Sequence, residues 1–331
     1  DVQRDLVGEL GIGAGDEVIC TPRSYQASAS SIAMAGARPV FADVDRDSQN
    51  ITPATVAPLI TERTKAIMCV HLAGWPCDMP GFADLVDRRG IALVEDCAQA
   101  HGAAIDGRSV GSFGDIAAWS FCQDKIITTG GEGGMITLDD EDRWKAAWAY
   151  KDHGKSWDAV YNRQHAPGFR WLHEGWGSNW RMTEMQAAIG RIQLKRMPEW
   201  HAERCRNANR LLHAFEKLDA LRCPHPGDGV EHAWYKYYAF VRTEALKPGW
   251  TRDRIMSEVN AAGVPCYSGS GPEIYREKVF VDAGLAPAQR LPAAVELGET
   301  SLMFLVHPTM RSEDIDKTID VVERIVRGAT R

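Results

Sequence analysis

The chain has 331 residues, of which 44% are hydrophobic and 25% are charged, so it is a globular protein of about two domains and not a disordered or fibrous chain. Its formal net charge is -7, so no overall positive field attracts nucleic acid or an anionic membrane surface. The sequence has no run of about 20 apolar residues and no signal peptide at its start, DVQRDL, so we expect a cytoplasmic protein outside the membrane.

The first predicted elements are a helix, a glycine turn and a strand, in the run DVQRDLVGELGIGAGDEV. Neither a strand nor a helix cap precedes this helix in the sequence. We therefore expect that an N-terminal segment of the protein is missing from the sequence.

Six short apolar or β-branched runs predict strands between Glu17 and about Leu138. Helical stretches separate the first four runs, as in βα units with a buried parallel sheet. The predicted strands cover residues 17–21, 39–44, 65–70, 91–96, 116–121 and 134–138, and the predicted helices cover residues 25–35, 53–60 and 79–89. This order predicts an α/β domain with a mostly parallel sheet.

The second half of the chain has a different pattern. A polar stretch rich in glycine and tryptophan, residues 151–179, has no clear periodicity, and we expect it to form part of a site or an interface. Residues 182–215 predict a long helix that is broken or kinked near Pro198. Strands and helices then alternate in the order of a small α+β domain. We place a large α/β domain at residues 1–200 and the small C-terminal domain at residues 201–331.

The eight cysteines are scattered, without a C-x-x-C pair, and several lie in apolar runs. Buried thiols are therefore expected, without disulfides and without a metal site.

Two residues in the predicted α/β domain carry chemistry. Asp96 ends a predicted parallel strand in the run VEDCAQAHGA, at the edge where open α/β sheets bind ligands. Lys125 follows the strand-like run WSF and is flanked by Ile126 and Ile127, and a lysine in apolar surroundings can act as an amine nucleophile or base. An aspartate facing a pyridinium nitrogen and a lysine that forms a Schiff base are the two groups that pyridoxal phosphate chemistry requires.

The sequence resembles the DegT/DnrJ/EryC1/StrS family of sugar aminotransferases. The resemblance implies fold type I of the pyridoxal phosphate-dependent transferases, with a mostly parallel sheet in a large domain and a smaller α+β C-terminal domain. The matching runs extend from Gly11 to about Met310 and are GIGAGDEVI, AGARPVFADVD, RTKAIMCVHLAG, ALVEDCAQAHGA, VGSFGDIAAWSF, KIITTGGEGGMI, GSNWRMTEMQAAIG and LVHPTM.

The resemblance assigns a role in cofactor binding to five residues of the α/β domain. It makes Lys125 the Schiff-base lysine and Asp96 the partner of the pyridine nitrogen. Gln99 would bond to the phenolic oxygen of the cofactor, Ser120 would contact its phosphate, and Tyr25 would stack on its ring.

Three further residues follow from the same resemblance. Asn179 matches an asparagine that reaches the cofactor phosphate of the neighbouring subunit, which implies a homodimer with shared active sites. Asp1 is what remains of a helix start that contacts the phosphate in relatives. His153 matches a histidine beside the substrate cleft, although capping of its own loop is equally expected.

Several other aromatic side chains have two possible roles. Residues 234–238 contain Trp234, Tyr235, Tyr237 and Tyr238, which we assign to core packing, with stacking on a sugar or base as the alternative. His71, at the end of a predicted strand, is expected to be structural. Tryptophans of the 151–179 stretch are candidates for the dimer interface, namely Trp157, Trp171 and Trp176.

The resemblance implies an aminotransferase that converts a keto sugar, nucleotide-linked or free, to an amino sugar with glutamate or glutamine as donor. The alternatives are a dehydratase of the same family, against which Lys125 argues because a histidine replaces the lysine there, and an inactive cofactor-binding regulatory protein. The run Gly269–Phe280 departs from the proline- and histidine-containing stretch of nucleotide-sugar members, so the particular substrate stays open.

Overall fold

The computed structural model describes residues 10–331, so most of the predicted first helix lies outside the described residues. Six strands form a central sheet, three very short strands form a side sheet, and four strands form a C-terminal sheet. In chain order the strands are β1 (Glu17–Cys20), β2 (Arg38–Phe41), β3 (Thr64–Val70), β4 (Ala92–Asp96), β5 (Ala104–Ile105), β6 (Arg108–Ser109), β7 (Ile116–Ser120), β8 (Gly134–Thr137), β9 (Leu221–Arg222), β10 (Val230–Glu231), β11 (Tyr237–Val241), β12 (Cys266–Tyr267) and β13 (Ser301–Phe304).

The α-helices vary widely in length and most surround these sheets. In chain order they are α1 (Ala27–Met34), α2 (Pro53–Val56), α3 (Met79–Val86), α4 (Glu141–Tyr150), α5 (Trp157–Tyr161), α6 (Glu184–Phe215), α7 (Arg252–Ala261), α8 (Lys278–Asp282), α9 (Pro292–Thr300) and α10 (Ser312–Ala329).

The central sheet confirms the predicted α/β class. Its strand order is β2-β1-β3-β4-β7-β8, in which β8 alone runs antiparallel to its neighbour. Nearly every residue of β1, β3 and β4 is buried, because helices and loops cover the two faces of a parallel sheet. Parallel pairing brings the carboxyl ends of β1, β3, β4 and β7 to one edge of the sheet.

The C-terminal sheet is antiparallel, with the order β12-β13-β11-β9. It shares a hydrophobic core with α6, α7 and α10, whose buried members include Phe215, Tyr237 and Phe304. The domain boundary that we propose at residue 200 lies inside α6. The predicted long helix is confirmed as α6, and it continues through Pro198, so of the expected break or kink the break is wrong.

Several elements have no counterpart in the sequence-based prediction. Strands β5, β6 and β10 form a small antiparallel sheet beside the central one. Helix α5 lies within the aperiodic 151–179 stretch. All eight cysteines lie in the described part of the chain and are free thiols; five are buried, as predicted, whereas Cys122, Cys205 and Cys223 are half-buried. Among residues 10–331, no helix has both the length and the apolar character needed to cross a membrane.

Candidate active site

A cavity of about 690 Å³ opens at the carboxyl edge of the central sheet. Open α/β sheets bind ligands at this edge, where the strand order reverses, and here the order reverses between β1 and β3. Five of the predicted site residues line the cavity, and these are Tyr25, Asp96, Gln99, Ser120 and Lys125.

Asp96 is the last residue of β4 and is 3% exposed. Its Oδ2 accepts a hydrogen bond of 2.9 Å from the Ser28 hydroxyl on α1, and its Oδ1 accepts one of 3.1 Å from the Ala98 N–H. These contacts fix the carboxylate at the cavity wall. A buried carboxylate held in this way can bind a protonated ring nitrogen and keep it protonated.

Gln99 lies in the loop after β4. Its Oε1 accepts a hydrogen bond of 2.8 Å from the Ala73 N–H, which follows β3. This bond fixes the amide so that its nitrogen is the end that can donate to an oxygen of a ligand.

Lys125 lies in the loop after β7. Its N–H donates to the Cys122 carbonyl at 3.0 Å, and its Nζ lies 5.4 Å from the centre of the Tyr235 ring. Ile126 and Ile127, which follow it, are buried and fix the base of the loop. The half-buried amine therefore faces the cavity from a well-packed loop.

Asp124 precedes the lysine and connects the loop to the residues that lead into the C-terminal sheet. Its Oδ2 accepts a hydrogen bond of 2.6 Å from the Tyr235 hydroxyl. Burial raises the pKa of the Asp124 carboxyl, but this bond and the Lys125 charge outweigh it, so the pKa lies below its ordinary value. Tyr235, which we assigned to core packing, thus also contacts the site loop.

Ser120 and Tyr25 complete the predicted set in the cavity. Ser120 ends β7, and its Oγ accepts from the Cys122 N–H at 3.4 Å. Tyr25 follows β1 and is 68% exposed, so its ring is available at the cavity mouth.

Behind Asp96, the neighbouring Glu95 and His71 form a buried polar pair with Nε2 and Oε2 3.0 Å apart. The Nδ1 of His71 accepts the Cys77 N–H at 2.9 Å, so it carries no proton and Nε2 is the donor to Glu95. His71 is structural, as predicted. The Cys97 thiol lies close to His71 and Glu95, but the side-chain atoms of that pair are already used in hydrogen bonds. Burial raises the pKa of the Cys97 thiol to about 12.

Residues that were not expected at the site from the sequence also line the cavity, among them Trp180, Arg181, Met182 and Gln186. These four belong to the run GSNWRMTEMQ, in which the resemblance pointed only to Asn179. Thr183 and Gln186 form a capping box that begins α6 here, and this T-x-x-Q pattern was readable in the sequence.

His101 is a further residue that the sequence analysis missed. It is buried behind the site loop, with its ring 5.2 Å from that of Trp119. Burial, together with the charges of Lys125 and Arg204, lowers the pKa of His101 to about 4. The ring is therefore neutral at physiological pH, and His101 adds no positive charge behind Lys125.

The remaining predicted residues are not in the cavity of the described chain. Asn179 is exposed and forms an isolated bridge with Asp152. His153 is exposed, and its N–H donates to the Ser178 carbonyl at 3.0 Å. Asp1 lies outside the described residues.

Comparisons with known proteins relate this geometry to a family. A model of the DegT/DnrJ/EryC1/StrS aminotransferase family matches residues 6–323. The chain is 34% identical to the spore coat polysaccharide biosynthesis protein SpsC of Bacillus subtilis, over 96% of this chain and 81% of that protein. It is 33% identical to a UDP-N-acetyl-3-dehydro-alpha-D-glucosamine 3-aminotransferase of Acidithiobacillus ferrooxidans, over 96% and 80%. A GDP-perosamine synthase of Caulobacter vibrioides is 35% identical, over 96% and 81%.

Solved structures show the same similarity. An aminotransferase from Psychrobacter cryohalolentis superposes with a TM-score of 0.97 at 55% identity, covering 99% of this chain and 85% of that one. DesV from S. venezuelae, solved in complex with a ketimine intermediate, superposes with a TM-score of 0.86 at 29% identity, covering 98% and 82%.

Proposed function

The chain belongs to the DegT/DnrJ/EryC1/StrS aminotransferase family, and we propose that it transfers an amino group from glutamate or glutamine to the keto group of a nucleotide-linked sugar. Membership makes it a pyridoxal phosphate-dependent aminotransferase. The observation that carries the proposal is the meeting of Lys125, Asp96 and Gln99 around one cavity at the carboxyl edge of the sheet.

The residues of this cavity fit pyridoxal phosphate. The fixed carboxylate matches the ring nitrogen of the cofactor, and the amide donor matches its phenolic oxygen. The hydroxyl at a strand end matches the phosphate, and the amine matches the aldehyde. We assign these roles to Asp96, Gln99, Ser120 and Lys125. Tyr25, at the cavity mouth, would stack on the cofactor ring and exclude water from one of its faces.

The bound cofactor supplies an electron-withdrawing ring that stabilises negative charge on the substrate carbon next to nitrogen. Asp96 maintains that property, because its carboxylate stabilises the protonated ring nitrogen. Lys125 would hold the cofactor through its amine and, as a free amine, would hold a proton at Nζ and exchange it with the substrate carbon as a general acid and base.

The substrate class follows from the named activities of the relatives. One is named for a UDP-linked 3-dehydro sugar and another for a GDP-linked amino sugar. A diphosphate-linked keto sugar is the chemistry that these names share, and we propose it for this chain.

We also propose that the protein is a homodimer with shared active sites. Trp171 is 81% exposed and Trp176 is 96% exposed, both in the 151–179 stretch, and Met185 on α6 is 77% exposed. Large apolar side chains of this kind are typical of a surface that a partner covers. Trp157 instead packs on Trp148 of its own chain, with ring centres 5.0 Å apart, so it does not support the interface.

Asn179 lies in this apolar region, which supports its assignment to the neighbour's phosphate site. The free thiols further support a reducing compartment, and we place the protein in the cytoplasm.

The test uses purified protein loaded with pyridoxal phosphate. Addition of glutamate should remove the absorption of the lysine-linked cofactor and release 2-oxoglutarate, and a panel of UDP-, GDP- and dTDP-linked keto sugars should restore it. Formation of an amino sugar is then read by mass spectrometry, with Lys125→Ala as the control. A protein that releases no 2-oxoglutarate with glutamate, and no corresponding product with glutamine, contradicts the proposal.

A further inference from the structure

A second cavity, of about 420 Å³, adjoins the candidate active site on the side of the C-terminal sheet. Tyr25, Gln99 and Lys125 line both cavities, so a ligand that reaches Lys125 can extend from one into the other. The carboxylate of Asp124 also lines both cavities, and the polar side chains that line the second cavity but not the first are Tyr235, Lys236, Tyr238, Tyr267 and Ser270.

Lys236 and Lys125 both place their amines near the ring of Tyr235. Its Nζ is 4.7 Å from the centre of the Tyr235 ring, and the Nζ of Lys125 is 5.4 Å from the centre of that same ring. Contacts with one ring keep the two amines within the span of a single small substrate. Lys236 is half-buried at the cavity wall, and it also lines the small cavity formed by Trp75 and His232.

Within the described residues, no carboxylate forms an ion pair with this lysine. The ion pairs of residues 10–331 include neither Lys236 nor Lys125. Asp124 is the nearby acid, but it is bound to the Tyr235 hydroxyl at 2.6 Å.

Two buried guanidinium groups add positive charge around the second cavity. Arg204 donates to the carbonyls of Trp234 and Tyr235, at 3.2 Å and 3.3 Å, directly before Lys236. Arg23 donates to the Gln49 amide at 2.9 Å, and its guanidinium lies 5.8 Å from the centre of the Tyr238 ring. The hydrogen-bond acceptors that the structure shows for both guanidiniums are neutral.

These charges leave the Lys236 ammonium in an unfavourable environment. Burial and the charge of Arg204 lower the pKa of Lys236, the charge of Lys125 acts in the same direction, and Asp124 opposes them. A half-buried ammonium close to other cations is stabilised when an anion enters the site.

We propose that Lys236 forms an anion subsite that binds a carboxylate or phosphate group of a substrate while the reacting carbon lies at Lys125. Tyr267 and Ser270 line the same cavity and supply further hydroxyl donors. This inference rests on the proposed function, because the aminotransferase reaction brings two anionic substrates in turn to Lys125. The α-carboxylate of the amino donor and the diphosphate of the nucleotide sugar have the same recognition chemistry.

The test measures binding of unreactive anions to the holoenzyme by titration calorimetry. Glutarate represents the amino donor without its amine, and inorganic pyrophosphate represents the diphosphate. Lys236→Met removes the charge and keeps the alkyl chain, and Lys236→Gln is a second uncharged variant. Lys247→Met is the matched control, because Lys247 is exposed on the C-terminal domain and donates to the Gly328 carbonyl, away from both cavities.

Loss of one charged hydrogen bond weakens binding about ten- to hundredfold. We expect this loss in both Lys236 variants for at least one probe, with the control unchanged. If only glutarate binds the variants more weakly, the subsite belongs to the amino donor. If only pyrophosphate binds more weakly, it belongs to the nucleotide sugar, and if both do, it serves the two substrates in turn.

Equal affinity of both probes for the wild type and for either folded Lys236 variant overturns the proposal, and so does a wild type that binds neither probe at millimolar concentration. Thermal unfolding shows whether each variant is folded. Because these titrations need no turnover, they distinguish failure of the subsite from failure of the proposed function, which the release of 2-oxoglutarate tests separately.

Discussion

Replacement of Glu95 by glutamine should strongly destabilise the fold while changing few atoms. The Glu95 side chain is fully buried behind the active-site carboxylate. Its Oε2 accepts from His71 Nε2 at 3.0 Å and from the Gly111 N–H at 2.8 Å, and its Oε1 accepts from the N–H groups of Phe113 at 2.8 Å and Gly114 at 2.7 Å.

The magnitude follows from this geometry. In either orientation, the amide nitrogen of a glutamine would face two donors, so two hydrogen bonds to a charged group are lost. At about 1.5–3 kcal/mol each, the loss is about 3–6 kcal/mol, a large part of the stability of an ordinary domain. His71 cannot relieve it by moving its proton to Nδ1, because that atom already accepts the Cys77 N–H.

The assay is urea unfolding of Glu95→Gln and wild type at one protein concentration and a fixed cofactor concentration, followed by fluorescence and circular dichroism. Glu244→Gln is the matched control, since Glu244 is exposed. If the free energy of unfolding of Glu95→Gln lies within about 1 kcal/mol of the wild-type value, the reasoning is refuted, because the loss of two charged hydrogen bonds would lower it by more.

The same variant has a predicted pH dependence. Burial raises the pKa of Glu95, but the hydrogen bonds from His71 and the backbone outweigh it, so the pKa in the folded protein is below its ordinary value. Because the pKa of Glu95 is lower in the folded protein than in the unfolded chain, its ionised carboxylate stabilises the folded protein above about pH 4.3. This stabilisation is lost as the pH falls through the pKa of Glu95 in the folded protein. The difference in stability between wild type and Glu95→Gln should therefore narrow below about pH 4.

Three predictions concern the active site itself. Lys125→Ala should fold but show no covalent attachment of the cofactor after borohydride reduction and peptide mass spectrometry; attachment at this loop in the variant would contradict the assignment. Asp96→Asn should retain the cofactor but lose about a hundredfold or more in single-turnover rate with glutamate, because a neutral amide does not stabilise the protonated ring nitrogen; near-normal rates would show that Asp96 has another role. Co-refolding of Lys125→Ala with Asn179→Ala should give heterodimers in which one site has both wild-type residues, with activity well above either parent; activity no higher than the parental average, in confirmed heterodimers, would mean that Asn179 does not complete the neighbour's site.

The sequence was sufficient to predict the central sheet and the edge at which the candidate site lies. Each long central strand is an apolar run, and the candidate site residues lie at or soon after strand ends, since Asp96 ends β4 and Lys125 follows β7. Local spacing therefore places them at one edge once the sheet is parallel. The pair of residue types pointed to the cofactor, and the family resemblance then assigned the contact that each residue makes with it.

Other features depend on contacts between distant parts of the chain. Strands β5, β6 and β10 have two residues each, too few to show an alternating pattern, and β10 pairs with β5 from a distant segment. Lys236 follows an aromatic run that is typical of a core, and its place near Lys125 arises only from contacts between distant parts of the chain. Pro198 was expected to break or kink α6, and the helix continues through it without a break.

The run Val94-Glu95-Asp96 shows how one strand end can combine stability with chemistry. Successive side chains of a strand point to opposite faces, so two neighbouring carboxylates enter different surroundings. Glu95 accepts hydrogen bonds from three backbone N–H groups of the 111–114 loop, which occupy its carboxylate oxygens. Asp96 instead accepts a hydrogen bond from the Ser28 hydroxyl at the cavity wall. The backbone N–H of His71 donates to the backbone carbonyl of Asp96 at 3.2 Å, and its ring Nε2 donates to the Glu95 carboxylate. His71 therefore fixes the positions of both acidic residues. A change at Glu95 should therefore displace Asp96 as well as destabilise the sheet, and Glu95→Gln should lose cofactor affinity that Glu244→Gln retains.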